Sequence, residues 1–152
     1  MANRLVIDTR EKLPLTFHNT ENYEVCKDTL SFGDYGLEIN GKLTCVFERK
    51  SAHDLFMTLT SGHERFNAEI ARAKEANVPF YIVVEENYHN IIKKQFEGAF
   101  RIKKMQGFIL AKTIHTMQLK HSIVFLFFNN REEMRDYIRN TFFAIIKRIN
   151  DS

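Results

Sequence analysis

An α/β fold with a mixed central β-sheet flanked by helices is predicted by three features of this 152-residue chain. Strand-like runs and a hairpin fill its first third. Helical and strand patterns then alternate to the end, as in sandwiches with helices packed on a sheet. Two continuous apolar runs, Phe80–Val84 (FYIVV) and Ser122–Phe128 (SIVFLFF), have the character of strands covered on both sides.

Arg4–Asp8 (RLVID) reads as a first buried strand ending in an acid, and Thr9-Arg10-Glu11 leaves it as a loop. Leu13–His18 and Tyr23–Lys27 are weaker extended candidates separated by a polar stretch. Tyr35–Ile39 and Lys42–Glu48 flank Asn40-Gly41, a strong hairpin signal. Ser51-Ala52-His53-Asp54 has the S-x-x-D form of a helix start, with Ser51 as N-cap of a helix running to about Leu59. His63–Ala76 predicts a second helix, with Phe66, Ile70 and Ala73 inward and Arg65, Glu69 and Arg72 outward. Tyr88–Gln95 reads as a short helix, Gly98–Lys104 as a basic link, and Met105–Lys120 as a moderately amphipathic helix. Arg131–Ile149 is the closing helix, its stripe made of Met134, Ile138, Phe142, Ile145 and Ile149.

This length fits one domain with a real core, and 44% hydrophobic with 27% charged residues places it among ordinary globular proteins. The net charge of +3 is compatible with a polyanionic partner without requiring one. Cys26 and Cys45 form no CxxC pair, and the start MANRLVIDTR has no apolar core of a secretion signal, so a reduced, cytoplasmic protein is expected. The longest apolar run, Ile123–Phe128, is too short to span a bilayer.

The chemistry concentrates between Gly33 and Asp54. Side chains alternate along a strand, so Glu48 and Lys50 project to one face and Arg49 to the other. Carboxylates there can hold a hard cation through oxygen, and the Lys50 ammonium can neutralise phosphate charge or orient a water. Whether Asp34 joins them depends on the hairpin. A two-residue loop with a regular ladder would put Asp34 and Glu48 on opposite faces. A three-residue loop, Ile39-Asn40-Gly41 with a bulge, would bring Asp34, Val46, Glu48 and Lys50 to one face. An odd-length loop or a bulge is therefore expected. The plainer reading is a solvated hairpin with weak surface ion pairs.

The bare spacing, D-x13-E-x-K, is that of many restriction-endonuclease-like nucleases, and a longer match narrows it. Gly33-Asp34, then Glu48-Arg49-Lys50, then three residues to Asp54, resembles the GD…ERKxxxD signature of the XPF-type structure-specific endonucleases. Ile7-Asp8-Thr9-Arg10-Glu11 looks like the family's opening DxRE, and Phe32-Gly33-Asp34-Tyr35 like its GDY strand start. Ser51, Leu55 and the LTSGHERFNAEIARA segment resemble its following helix region, while Phe80–Glu85 and Ile123–Phe128 sit where its next two strands lie.

The resemblance implies a restriction-endonuclease-like core and a Mg²⁺- or Mn²⁺-dependent endonuclease cutting branched, flapped or junction DNA. It implies Asp34 and Glu48 as principal metal ligands, Asp8 as a further contributor, and Lys50 polarising the attacking water or the scissile phosphate. Arg10 and Arg49 would orient the acids and contact phosphate, and Glu11 would stand behind the ligands. Asp54 would steady Arg49 or Lys50, although an acid in a first helical turn is favoured by the helix dipole regardless. Such proteins usually carry a tandem helix-hairpin-helix domain, and none is expected in residues 1–152. The resemblance also implies a possible homodimer through the nuclease domain, with Met105–Lys120 and Arg131–Ile149 serving as interface or as ordinary core. A compact form of this kind points to a prokaryotic, phage or plasmid origin.

For DNA contact the candidates are Arg65, Arg72, Lys74, Arg101, Lys103 and Lys104, each of which could equally be solvated surface. His53 and His63 lie near the site without zinc-like spacing and are read as surface residues. A non-catalytic DNA-binding or dimerisation subunit is the alternative from another class, weighed against by the presence of Asp8, Asp34, Glu48, Lys50 and Asp54 together. A generic α/β module with a surface hairpin is a third.

Overall fold

The computed structural model describes residues 3–99 and 102–152. Its centre is a six-stranded mixed sheet. The strands are β1 (Arg4–Asp8), β2 (Glu24–Asp28), β3 (Tyr35–Ile39), β4 (Lys42–Lys50), β5 (Phe80–Val84) and, numbered β8 by chain order, Val124–Phe127. They lie in the order β2-β1-β3-β4-β5-β8. β3 runs antiparallel to both neighbours, and the remaining pairs are parallel. The carboxyl ends of β1 and β4 and the amino end of β3 therefore meet at one edge of the sheet.

Between β4 and β5 the chain forms α1 (Ala52–Leu59) and α2 (His63–Glu75). Ser51 caps α1 as its sequence predicts, its Oγ accepting from Asp54 N at 3.1 Å. After β5 come α3 (Tyr88–Lys93), a hairpin of β6 (Gln95–Ala99) and β7 (Ile102–Gln106), and α4 (Gly107–His121). The final helix is α5 (Arg131–Asn150), whose Asn130 cap accepts from Glu133 N.

Apolar residues cover both faces of the sheet. On one face Val46, Phe80, Ile82 and Val84 pack with Leu55, Phe56, Phe66, Ile70, Leu110 and Ile114 from α1, α2 and α4. On the other, Tyr35, Leu37, Cys45 and Phe47 meet Met134, Ile138, Phe142 and Ile146 of α5, with Leu15 and Phe17 beside them. Among the described residues no helix is long and apolar enough to cross a membrane.

Several elements differ from the sequence expectation. Leu13–His18 forms no strand and joins no ladder. Its Leu15 and Phe17 are buried against α5's face of the sheet, while Leu13 stays exposed. Of the link expected at 98–104, residues 98–99 lie in β6 and 102–104 in β7, a small second sheet, and α4 starts at Gly107 rather than Met105. Phe96 anchors that hairpin by stacking on Phe56, a tertiary contact that the basic residues around it disguise. In α5 the buried line is Met134, Ile138, Phe142 and Ile146, with Ile145 only partly covered. Ile149 lies beyond the packed region, beside Ile39 and Leu43 of the hairpin, and is 41% exposed.

The hairpin resolves the register question in its own way. Its loop has two residues, not three: Ile39 pairs with Lys42, and Asn40 and Gly41 both have positive φ, 54° and 78°. This is the left-handed pair that matches strand twist. The ladder then slips, because Glu38 pairs with Leu43 but Leu37 with Cys45. Thr44 is the extra residue of a β-bulge, and its hydroxyl donates to Leu37 O at 2.9 Å.

Candidate active site

The bulge determines what faces what. Beyond it Gly36 pairs with Val46 and Tyr35 with Phe47, so the register carries Asp34 opposite Glu48. The two carboxylates stand on the same face of the sheet, toward α1 and α2. Asp34 is fixed further by two backbone bonds: its N–H donates to Phe47 O at 2.8 Å, and its Oδ2 accepts from Arg49 N at 2.7 Å. Lys50 is on that face too, with Nζ 3.7 Å from Glu48 Oε1.

This is an unfavourable place for two negative charges. Glu48 is buried, and its proton affinity is pushed well above the usual carboxylate range by burial first, then by Asp34 and Glu69, with Lys50 opposing. Burial raises Asp34 to about 6, against hydrogen bonds from Glu48 and Arg49 N that lower it. Both acids thus favour the protonated form, a preference that a bound cation would reverse.

Asp8 arrives at the same edge, its N–H donating to Asp34 O at 2.8 Å. Its carboxylate, however, is engaged. Oδ2 accepts from Arg10 Nε at 2.8 Å and Arg10 N at 3.1 Å, and Oδ1 accepts from Arg10 Nη2 at 3.1 Å and Leu30 N at 2.8 Å. Burial alone would raise this acid, but those bonds outweigh it and keep it below the ordinary range. Arg10 also donates to Leu30 O, so the pair clasps the loop that leads to Gly33. Among the described residues no three acidic, histidine or cysteine side chains converge as a metal-holding group. The expected trio of Asp8, Asp34 and Glu48 is present as a facing pair plus a clasped third acid.

Arg49 alternates to the other face, as strand geometry requires. Its Nε donates to Glu11 Oε2 at 3.0 Å, Nη1 to Glu85 Oε1 at 3.2 Å and Nη2 to Leu13 O at 3.2 Å. Glu11 also accepts from the Tyr35 hydroxyl at 2.7 Å, and Arg131 at the start of α5 joins Glu85 and Leu13 O. Arg49 reaches the acid pair through its backbone N–H, and its guanidinium braces the back of the sheet. Asp54 is exposed and forms no ion pair among the described residues. The expectation that it steadies Arg49 or Lys50 is therefore not met: Glu11 and Glu85 hold the one, Glu48 the other. Its place in the S-x-x-D cap accounts for it.

One acid expected to face solvent faces the site instead. Glu69 of α2 is partly buried, its Oε1 accepting from Gly33 N at 2.9 Å, and its charge helps to raise the proton affinity of Glu48. Its sequence signal is slight: it adjoins Ile70 and follows Phe66 by three, at the border of the apolar stripe. Glu85 and Arg131 were also not singled out by the sequence reading. Glu85 directly follows β5, at the carboxyl end of a parallel strand, where sheets of this kind gather functional groups.

Beside the acid pair lies a cleft of about 580 Å³ whose lining includes Lys50, Ser61, Gly62, Arg65, Phe66 and Glu69. Of the expected DNA contacts, Arg65 is exposed and lines this cleft, and Lys74 is exposed farther along α2. Arg72 is exposed but donates to Ser31 O at 2.9 Å, bracing the loop before Gly33. Lys104 is exposed on β7; Arg101 and the side chain of Lys103 lie outside the described residues. His53 and His63 are exposed, the first against Phe56 and the second with Nδ1 3.0 Å from Thr60 O.

The chain matches the ERCC4 domain over residues 7–141, from the first strand to within the last helix. It belongs to the ERCC4 domain family. The fold is that of XPF nucleases. XPF from Aeropyrum pernix superposes with a TM-score of 0.63 at 18% identity, covering 98% of this chain and 62% of that one. XPF from Aeropyrum pernix in complex with DNA gives 0.64 at 19% identity, covering 95% and 65%. The chain thus spans somewhat less than two thirds of the length of those structures. No curated protein matches it. The ERCC4 domain family, with its XPF fold, is a family of DNA nucleases, and the restriction-endonuclease-like core expected from the sequence is the fold present.

Proposed function

We propose that this chain is a metal-dependent DNA endonuclease that hydrolyses phosphodiester bonds in branched, flap or junction DNA. The observation that carries the reading is the pairing of Asp34 with Glu48, side by side on one sheet face with Lys50 beside them. Membership of the ERCC4 domain family supports the nuclease chemistry. The similar structure of XPF from Aeropyrum pernix in complex with DNA supports DNA as the partner.

Two facing carboxylates whose burial favours a shared proton suit a hard dication. Mg²⁺ typically takes one or two protein carboxylates and completes its shell with water and substrate phosphate. Asp34 and Glu48 would hold it, with the rest of its shell finished by water and the DNA. Bound there, Mg²⁺ or Mn²⁺ supplies a Lewis acid for the phosphoryl oxygen and lowers the pKa of a coordinated water.

The remaining work falls to the protein. Lys50 places an ammonium where charge develops on the phosphate. The Arg49 N–H and the Arg10–Asp8 clasp hold Asp34 and its approach loop still. The cleft from Lys50 to Arg65 offers a path for the strand, with Arg65 against a neighbouring phosphate.

The test is a panel of labelled flap, fork, junction and linear duplexes incubated with the purified chain and Mg²⁺ or Mn²⁺. Wild type should cut branched substrates in preference to linear duplex. Asp34→Asn and Glu48→Ala should bind DNA without cutting it. Undiminished cleavage by both variants would reject the assignment, and DNA binding without any cutting by wild type would favour a non-catalytic subunit.

A further inference from the structure

We infer that Glu69 is a positioning residue of the active centre, locking Asp34 and Glu48 into their shared geometry from the helix side. The inference rests on the metal-dependent reading above and adds a residue to it.

Gly33 sets the constraint. Its φ is +77°, and an added Cβ would lie 2.0 Å from Val46 Cγ1. The chain crosses β4 so closely there that no side chain can anchor it, so the turn must be held by its backbone. Its N–H is held by Glu69 Oε1 at 2.9 Å, across 36 residues of sequence. The next residue is Asp34. The same Glu69 carboxyl lies beside Glu48 and raises its proton affinity. One side chain on α2 therefore holds the residue that sets Asp34 and stands next to the partner of Asp34. α2 is itself fixed by Phe66, Ile70 and Ala73 in the core, so the brace has a rigid base. Arg72, one turn along, ties the same helix to Ser31 O, two residues before Gly33. Groups that orient metal-binding side chains in this way contribute to metal affinity without touching the ion.

The geometry separates reach from charge. A glutamine has the same length, so its carbonyl can accept from Gly33 N while its amide donates to Glu48. An aspartate keeps the charge but is one methylene too short to span both. The test is calorimetric titration of Mn²⁺ into the full chain, without DNA, for wild type, Glu69→Gln, Glu69→Asp and Glu48→Ala, with thermal melts alongside. Glu69→Gln should bind Mn²⁺ within about threefold of wild type, while Glu69→Asp should lose about tenfold or more, the range typical of groups that orient metal ligands. Its nicking rate should fall in parallel, and Glu48→Ala should abolish binding.

Equal affinity in all three Glu69 proteins would overturn the inference and leave the nuclease reading intact. Glu69→Asp binding more tightly than Glu69→Gln would overturn it in favour of a charge contributed directly to the ion. Absence of Mn²⁺ binding by wild type would reject the metal-dependent reading, and this inference with it.

Discussion

At the scale of single residues, the acid pair stores an electrostatic conflict with a measurable sign. Asp34 is raised from 3.8 to about 6 by burial, so between these values the folded protein holds a proton that the unfolded chain has released. The folded state then binds more protons, and its stability falls as pH rises through that window. At about 1.4 kcal/mol per unit the loss is on the order of 3 kcal/mol. Asp8, held low by Arg10, works the other way: its contribution is present above the ordinary carboxylate range and lost as pH falls below it. Comparing Asp34→Asn with wild type isolates the first effect. The variant should melt at a higher temperature than metal-free wild type at pH 7.5 and at nearly the same temperature at pH 4. Saturating Mn²⁺ should raise the wild-type melt and leave the variant's unchanged. Lys50 makes a separate prediction: Lys50→Ala should lower kcat by about 10²–10³-fold, as does loss of one preorganised charge-stabilising group elsewhere. Single-turnover cleavage at saturating enzyme would read that loss apart from DNA binding. Asp34, Glu48 and Lys50 were legible because motif spacing and strand alternation are local rules. Glu69 was not, because its orientation depends on where α2 lands on the sheet. Arg10, expected from the resemblance to orient the acids, clasps Asp8 two residues before it.

At the scale of elements, the even separation of Asp34 and Glu48 demands one irregular residue in the hairpin, in an odd-length loop or in a bulge. It lies at Thr44, while Asn40-Gly41 keeps its regular two-residue turn. Nothing in the sequence distinguishes a one-residue excess in a loop from one in a strand, since both restore the same alternation. Leu43 faces the α1–α2 core and Cys45 the α5 core, leaving Thr44 as the residue without a partner. It follows that deleting Thr44 should remove the bulge and keep the register. Ile39 would still pair with Lys42, Glu38 with Leu43, and Leu37 with Cys45, so Asp34 would remain opposite Glu48. The deletion should cost only about 0.5–1.5 kcal/mol for the lost hydroxyl bond to Leu37 O, with Mn²⁺ affinity preserved. Inserting one residue between Val46 and Phe47 should do the opposite, turning Glu48 away from Asp34 and abolishing Mn²⁺ binding. Calorimetry on the two variants checks both halves, and loss of Mn²⁺ binding on deletion would show that the bulge itself shapes the site.

At the scale of the whole molecule, the sheet separates two jobs. Its α1–α2 face carries Asp34, Glu48, Lys50 and the cleft, while its α5 face carries the Glu11–Arg49–Glu85–Arg131 network that braces the same strand ends. The order of strands and helices was readable from periodicity, because both apolar runs and the amphipathic helices are long. The β6–β7 hairpin was hidden because its stability comes from Phe96 packing on Phe56 rather than from its own polar, lysine-bearing pattern. Charge placement is the other property of the whole. A net charge of +3 is too small to draw DNA to the molecule at large, so affinity must come from locally placed cations. Among the described residues, Arg65 is the one expected contact that lines the cleft beside Lys50 and Glu69. A phosphate seated there would release counterions, and each such contact adds about 0.7–0.9 to the slope of log affinity against log salt. Arg65→Ala should flatten that slope by one such increment on a flap substrate, its affinity approaching that of wild type as salt rises. Fluorescence anisotropy titrations at four or more KCl concentrations would measure it. An unchanged slope would remove Arg65 from the interface and move the path of the strand out of the cleft, toward Lys74 on α2 or Lys104 on the small sheet.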